Sequence, residues 1–541
     1  MNLSSERLAR VLVMAAVVAV PAASAQTDSA ATSPVATRPV AAPAPAELRI
    51  EGDVIRLPLE QAVELALRRN LGLVVERFSR EQARQGIFQN LGIYDLLAAA
   101  EVEHTDSQFP TASSLDASQL EEDRADLSLT QLLPSGAVAS FGWSNRRTES
   151  NSQFAEFNPS YRSSPTFSLT QPLLRDFGRL ATERSLMIAR TNDSISRETF
   201  ETQVAATIQQ TENAYWDLVE AREQLKVAEE SLALTRELHD QNRIRVEVGT
   251  LAPLELVQSE AGIATREEEI IRSRSRVGDA EDELRRLLAL DQGELWSMTI
   301  DPETSPEREP VTLALDESIA AALRERPELN SQRLVIETAR IESEYFRGQR
   351  KPQLDVNASY GWGGVGGTLL VDPVTGQPLA RPLAGGFEDA LDQIRGLDFP
   401  SWSVGLTFSM PIQNRAARAQ STIADLELEQ SQASLKDLEQ TVITEVRRAA
   451  RAVETAREVI VSAGVSSRLS EKNLEAERKR YENGMSTSFQ ILEIQEDLTA
   501  ARSREVTAVT GYRRALAEFY RAIGRLLEEN GVALDDEPAA I

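Results

Sequence analysis

The chain has 541 residues, with 58 basic against 84 acidic side chains, a formal charge of -26, and no cysteine. That balance argues against a nucleic-acid binder, whose partner phosphates require basic patches, and the missing thiols exclude disulfides, thiolate chemistry and a lipid-bearing cysteine. No apolar run approaches the roughly 20 residues of a spanning helix, which excludes a helical inner-membrane protein.

Residues 1–25 read as a secretory signal, with Arg7 and Arg10 in the charged start, an apolar stretch from Val11 to Val20, and Ala23-Ser24-Ala25 at the cleavage site. Residues 26–56, rich in Ala, Pro, Thr and Ser, are expected to be a flexible segment. From Pro58 to about Asn90, Val63, Leu65, Leu67, Leu71, Val74 and Val75 keep helical spacing. Strands are expected at Leu96–Thr105 and at Phe167–Gln171, and a hairpin is expected where Leu127–Thr130 and Ala137–Trp143 flank the turn signature Pro134-Ser135-Gly136. From about Arg179 to Val248 there is neither proline nor glycine, which predicts a helix on the order of 100 Å long. Its positions Val204, Ile208, Thr211, Tyr215, Leu218, Arg222 and Leu225 alternate four and three apart, an imperfect heptad seam. Small Ala205, Ala214, Ala221 and Ala228 beside it predict close packing on more than one side. Gly249 suits a helix end, Thr250 is a candidate cap for the next helix, and Pro253 is tolerated in its first turn.

The chain then repeats itself. Arg245 to Val257 is echoed by Arg480 to Leu492, with Gly249 and Gly484 lying 235 residues apart, and Leu59 to Leu65 is echoed by Leu315 to Ala321. The predicted organisation is a first repeat over 57–290, a linker over 291–312, a second repeat over 313–530 and a tail over 531–541. In the second repeat Pro327 is expected to split the leading helix. A second great helix runs from about Gln413 to Asn483, and Ser486 or Thr487 is placed to cap the helix after it. Two strands are cleaner here: Trp402, Val404, Leu406, Phe408 and Met410 alternate with small polar residues, as do Leu354, Val356, Ala358, Tyr360 and Trp362. A complete apolar face with aromatics near its ends, opposite a small polar face, is the pattern of a strand between lipid and water. The polar stretches 108–124, 147–162 and 363–400 read as loops, including the glycine run from Gly361 to Gly367. The first copy is 21 residues longer from leading leucine to tip glycine (Leu59 to Gly249, 190; Leu315 to Gly484, 169), which leaves open whether the hairpin over 126–146 joins the barrel as two further strands per chain.

An open sheet edge is forbidden in lipid, so several chains must pool their strands. In this arrangement Gln171-Pro172-Leu173, Ala214-Tyr215-Trp216-Asp217-Leu218, Gly249-Thr250, Met410-Pro411-Ile412 and Tyr481-Glu482-Asn483-Gly484 resemble a TolC-like outer-membrane efflux protein, over nearly all of Leu57 to Leu527. The resemblance implies a mainly α fold with membrane β-barrel strands, in which a duplicated strand and long-helix-hairpin repeat forms a homotrimeric outer-membrane barrel continuous with a periplasmic α-helical barrel. It implies residence in the outer membrane of a Gram-negative bacterium, and the role of exit duct for a tripartite efflux or type I secretion system. The partners it implies are a periplasmic adaptor, an inner-membrane transporter and outer-membrane lipid.

It also implies a periplasmic gate at the hairpin tips, with Glu255, Tyr481, Gln490 and Glu493 as gate residues and with Gly249, Thr250, Gly484 and Ser486 at the tips where an adaptor docks. The chain departs from the family's pattern at Gln490, where an acid is expected, and at Ser486, where a base is expected. Three copies of Glu493 around a narrow lumen would attract cations and repel one another, and Glu255 is placed to accept a hydrogen bond from Tyr481 across neighbouring hairpins. A plainer role for both acids is to complement a helix N-terminus. Catalysis is not expected, nor any cofactor or metal: His104 and His239, the only histidines, have no partner at ligand spacing and read as surface residues. The alternative is a secreted periplasmic coiled-coil adaptor without a pore, but adaptors carry one helical hairpin between small β-domains, whose patterns are missing here.

Overall fold

The computed structural model describes residues 49–111, 116–152, 155, 157–290, 293–306, 313–369 and 385–533. The expected signal, most of the flexible segment and most of the tail lie outside the described residues. Over the described residues the chain divides into two compact units, one built from 84–191 with 336–430, the other from 49–83, 192–335 and 431 onward. Among the described residues no helix is long and apolar enough to cross a membrane.

In chain order the first repeat begins with β1 (Arg49–Glu51), β2 (Val54–Leu57), α1 (Leu59–Arg69) and α2 (Leu71–Leu91). Strands β3 (Leu97–Gln108), β4 (Gln119–Leu132), β5 (Val138–Ser150) and β6 (Phe157–Pro172) follow, then the long α3 (Arg179–Glu247) and α4 (Pro253–Leu287). A short α5 (Glu294–Ser297) and β7 (Thr299–Pro302) lead to the second repeat: α6 (Leu315–Glu325), α7 (Pro327–Gly348), β8 (Gln353–Trp362), β9 (Gly364–Leu369), α8 (Phe387–Arg395) and β10 (Pro400–Ser409). The chain closes with α9 (Arg415–Glu482), α10 (Ser488–Ala522) and α11 (Leu526–Glu529).

The first unit holds an antiparallel sheet in the order β10-β8-β6-β5-β4-β3, with β9 pairing the far end of β6. The hairpin over 126–146 therefore lies inside the sheet, as part of β4 and β5, which resolves the question of its membership. One row crosses all six strands, through Trp402, Tyr360, Phe167, Phe141, Leu129 and Ala98. Every residue of it is apolar, and Trp402 is 75% exposed with Phe408 at 64%. The opposite face is a lattice of small polar groups: Ser359 and Ser403 oxygens lie 2.8 Å apart, Ser140 and Ser168 2.6 Å, and Asn357 Nδ2 donates to Thr407 Oγ1 at 2.9 Å.

Three loop expectations are corrected here. The loop 108–124 is shorter than expected, lying between Gln108 at the end of β3 and Gln119 at the start of β4 with 112–115 outside the described residues, and 147–162 is largely strand. Alternating hydrophobicity marks only the apolar band, whereas a ladder of backbone hydrogen bonds continues through polar sequence just as well. The glycine run is not a loop. Gly364 and Gly366 sit in β9, where a Cβ would meet the Ala390 carbonyl oxygen at 2.0 Å and that of Gly386 at 2.2 Å, so their lack of a side chain is what lets α8 lie against the strand. Trp362 Nε1 donates to the Ile394 carbonyl at 3.0 Å, and the Gln393 side chain bonds both amide and carbonyl of Val365.

His104 is half-buried, not a surface residue. Its Nδ1 lies 2.7 Å from Asp123 Oδ1 on the adjacent strand, near Glu121, and Arg147 donates to Asp123 Oδ2 at 3.2 Å. Both carboxylates, Asp123 and Glu121, already pair with the positive charge of Arg147, which makes the group a polar cluster on the sheet.

In the second unit β1, β2 and β7 form a small sheet, so the end of the expected flexible segment and part of the expected linker are ordered. Ile55, Leu57 and Ile300 are fully buried beside Tyr215, Trp216, Leu218 and Leu284, and that apolar core accounts for the order. Tyr215 donates to the Leu57 carbonyl at 3.0 Å and accepts from the Thr304 amide at 2.9 Å, tying the strand segment to α3. The seam from Val204 to Leu218 is buried, as are Ala214, Ala221 and Ala228, in keeping with close packing on several sides.

The leading helix of each repeat is broken at corresponding residues, Asn70 and Arg326. In the second repeat Pro327 holds Arg326 extended (φ -68°, ψ 125°) and splits α6 from α7 as expected. In the first repeat no proline is needed: Asn70 Oδ1 accepts from the amides of Gly72 (2.9 Å) and Leu73 (3.3 Å) and starts a new helix, a break that hydrophobic spacing does not reveal. Arg326 bonds Glu328 at 3.0 Å and Glu445 at 2.5 Å. Burial would raise the Glu328 carboxyl, but the hydrogen bond and charge of Arg326 outweigh it and hold it below the ordinary carboxylate range. A lowered folded-state pKa stabilises the fold above the unfolded value of about 4.5 and ceases to do so as pH falls through the lowered one. Thermal melting should therefore be flat near neutrality and fall under acid conditions, and Glu328→Gln should make that acid slope shallower; an unchanged slope would remove Glu328 from the account.

Candidate functional site at the hairpin tips

Each tip begins where a long helix must stop. Gly249 adopts φ +76°, and the amides of Gly249 and Thr250 close onto the carbonyls of Val246 (3.0 Å) and Arg245 (2.8 Å). Gly484 adopts φ +73°, with the amides of Gly484 and Met485 on Tyr481 (3.0 Å) and Arg480 (2.9 Å). The same left-handed turn is thus built twice, and glycine enters it without a steric cost. The helices restart differently. Thr487 caps α10, accepting from the Gln490 amide at 3.4 Å, whereas α4 starts after Ala252 with no side-chain cap. Thr250 does not cap α4; its hydroxyl turns back to the Arg245 carbonyl at 3.0 Å.

The two tips meet around Tyr481, which is 2% exposed. Its hydroxyl donates to Asn242 Oδ1 and lies 3.1 Å from Ser488 Oγ, while Asn242 Nδ2 donates to Ser488 Oγ at 2.9 Å. Glu255 Oε2 accepts the Ser488 amide at 3.0 Å. Arg245 lies over the Tyr481 ring at 4.7 Å and donates to the Tyr481 carbonyl at 3.2 Å. Four helices, α3, α4, α9 and α10, so contribute to one polar knot, above an apolar layer of Leu238, Leu474, Ile491 and Leu498.

The expected direct bond from Tyr481 to Glu255 is not made within the chain, because Ser488 stands between them. The reason lies in helix termini: the first amides of α10 have no partner in their own helix, so the Glu255 carboxylate goes there and the tyrosine hydroxyl is left for Asn242. Glu255 does complement a helix N-terminus, but that of the other hairpin. Gln490 and Glu493 are exposed and outside the knot. Ser486 donates to Glu477 Oε1 at 2.5 Å and lies 3.0 Å from Gln490 Oε1, and Glu477, itself buried, pairs with Arg480 at 2.9 Å.

The spacing of 235 maps Asn242 onto Glu477 and Glu255 onto Gln490. Each tip holds one acid and one amide, with the positions exchanged, so the acid missing at 490 stands at 477 instead. Asn242, Glu477 and Ser488 escape sequence reasoning; the available signal was that Asn242 and Glu477 each stand seven residues before a tip glycine. Further polar rungs join α3 to α10 in one antiparallel register, Thr235 with Gln495 at 3.4 Å and Ser231 with Thr499 at 3.0 Å. His239 is also half-buried, with Nδ1 3.0 Å from Ser259 Oγ. The knot contains no nucleophile held by a base. Every polar group named in it is spent on holding one helix to another, which suits a latch. Around it Val248, Leu254, Val257, Met485 and Phe489 are exposed, each by 60% or more.

A sheet with one apolar and one polar face, joined in a duplicated chain to paired long helical hairpins, defines a channel-forming fold. The sequence matches the family described as "Outer membrane efflux protein" over residues 116–290 and 318–525. This chain belongs to that family, one of non-enzymatic outer-membrane efflux channels. Solved structures share the fold: the outer-membrane channel OprN at 17% identity, covering 86% of this chain and 89% of that one with a TM-score of 0.63; the CmeC outer-membrane channel of Campylobacter jejuni at 15% identity, covering 88% and 90% with a TM-score of 0.63; and the outer-membrane protein VceC of Vibrio cholerae at 14% identity, covering 86% and 96% with a TM-score of 0.61. No curated protein matches the sequence.

Proposed function

We propose that this outer-membrane efflux channel is the exit duct of a tripartite efflux or type I secretion pathway. Three copies act together, a periplasmic adaptor and an inner-membrane transporter deliver the cargo, and the hairpin tips close the periplasmic entrance. The observation that carries this reading is the knot of Asn242, Tyr481, Ser488 and Glu255, which ties two hairpins of one chain at their tips and nowhere serves a catalytic end. Releasing it loosens the two hairpins at their tips, where the rungs of Thr235 with Gln495 and Ser231 with Thr499 do not reach. The exposed apolar residues beside Gly249, Thr250, Gly484 and Ser486 support docking of an adaptor at the same place, since patches of that kind mark interaction surfaces. Glu493, exposed on α10, is the acid available for cation attraction in the lumen.

The test is purification from outer-membrane fractions, native mass measurement in detergent, and insertion into planar bilayers. The expected result is a trimer with small, cation-preferring conductance. A soluble monomer that conducts nothing would return the pore-free adaptor reading.

A further inference from the structure

The two edge strands of the sheet, β3 and β10, carry an inference about how copies join. Among the described residues neither has a second strand neighbour, every residue of β10 is exposed, and so are all but two of β3. These edges flank an apolar face, and lipid offers nothing to their unpaired amides and carbonyls. The strand count is even, so β10 runs antiparallel to β3 when a second copy is placed beside the first.

The register follows from the stagger of the sheet. Across the row of paired residues Trp402 stands level with Ala98, yet β3 continues ten residues past Ala98 to Gln108 while β10 continues seven the opposite way to Ser409. The edges overlap fully only when the next copy is shifted along the strands by about seven residues, and an even shift is required to keep lipid-facing side chains on one face. A shift of about six residues sets Val404 opposite Val102, Leu406 opposite Ala100 and Phe408 opposite Ala98, while Ser403 meets Glu103 on the polar face. At about 3.3 Å per residue and 4.8 Å between strands, six residues over six strands is a tilt of about 35°, within the range of closed barrels.

We infer that β10 of each copy pairs with β3 of the next in this register, and that three copies close an eighteen-stranded barrel. The trimer itself rests on the function proposed above; the strand count rests on the sheet. The hairpin β4-β5 is what raises the count from four strands per chain to six, making the outer opening about one and a half times as wide as that of a twelve-stranded barrel at equal tilt.

The chain lacks cysteine, so the register can be read directly by the double variant Val102→Cys with Val404→Cys. After mild oxidation it should run as a covalent trimer that reductant returns to monomer, while the unshifted pair Ala98→Cys with Trp402→Cys should give no ladder between copies. Trimers by native mass that cross-link only through the second pair, or through neither, would overturn the eighteen-stranded closure and leave the channel reading intact. Monomers in detergent before oxidation would overturn the trimer on which it rests.

Discussion

Replacing Tyr481 by Phe together with Glu255 by Gln should raise single-channel conductance in planar bilayers and lengthen open dwell times. The hydroxyl of Tyr481 is the donor to Asn242 in a site 2% exposed, and its loss leaves a buried amide oxygen without that partner. The Glu255 carboxylate makes a charged hydrogen bond to the Ser488 amide at the positive end of α10; glutamine keeps an oxygen there but loses the charge. Together the two changes remove about 2–3 kcal/mol from the joined arrangement of the hairpins. If that arrangement is the closed state, the closed-to-open ratio falls by about two powers of ten. Ser488→Ala should reproduce part of the effect, because Ser488 Oγ is the acceptor for Asn242. Conductance indistinguishable from the parent in both variants would mean that the knot is structural and that the gate lies elsewhere.

Replacing Arg326 by Leu should give the largest loss of stability. The guanidinium is 6% exposed and bonds both Glu328 and Glu445, so leucine would leave two carboxylates beside each other at the elbow between α6 and α7. Breaking a buried pair costs about 3–5 kcal/mol; because these carboxylates retain 30% and 34% exposure, about 2–4 kcal/mol is expected. The loss appears as a lower melting temperature by circular dichroism, with conductance of the surviving trimers unchanged. Arg326→Lys should recover only part of it, since an ammonium does not bridge two carboxylates as the planar fork does. Equal melting of the leucine variant and the parent would show that the elbow is held by the adjoining apolar core of Leu329, Val446 and Phe519.

The elements whose side chains carry a period were legible in the sequence. The two great helices end at Glu247 and Glu482, within a few residues of the expected limits, because a long run without proline, interrupted in the second helix only by Gly464, and a positive-φ glycine at each tip are local properties. The two-faced strands were legible for the same reason: the apolar face of β10 is written into every second residue. Polar strand extensions, β9 and the break at Asn70 were not, since backbone pairing and an asparagine cap leave no hydrophobic period behind. Duplication placed Tyr481 and Glu255 at the tips, but it could not show that Ser488 and Asn242 stand between them.

By itself, then, the sequence determined the helix lengths, the tip turns, the two-faced strands and the repeat, all of which depend on residues close together in the chain. Only the tertiary structure decided that the hairpin over 126–146 sits mid-sheet, that the acid absent at 490 has its counterpart at Glu477, and that Tyr481 answers to Asn242. Those outcomes pair residues up to 239 positions apart, where the partner is chosen by packing and by which buried donors still need an acceptor.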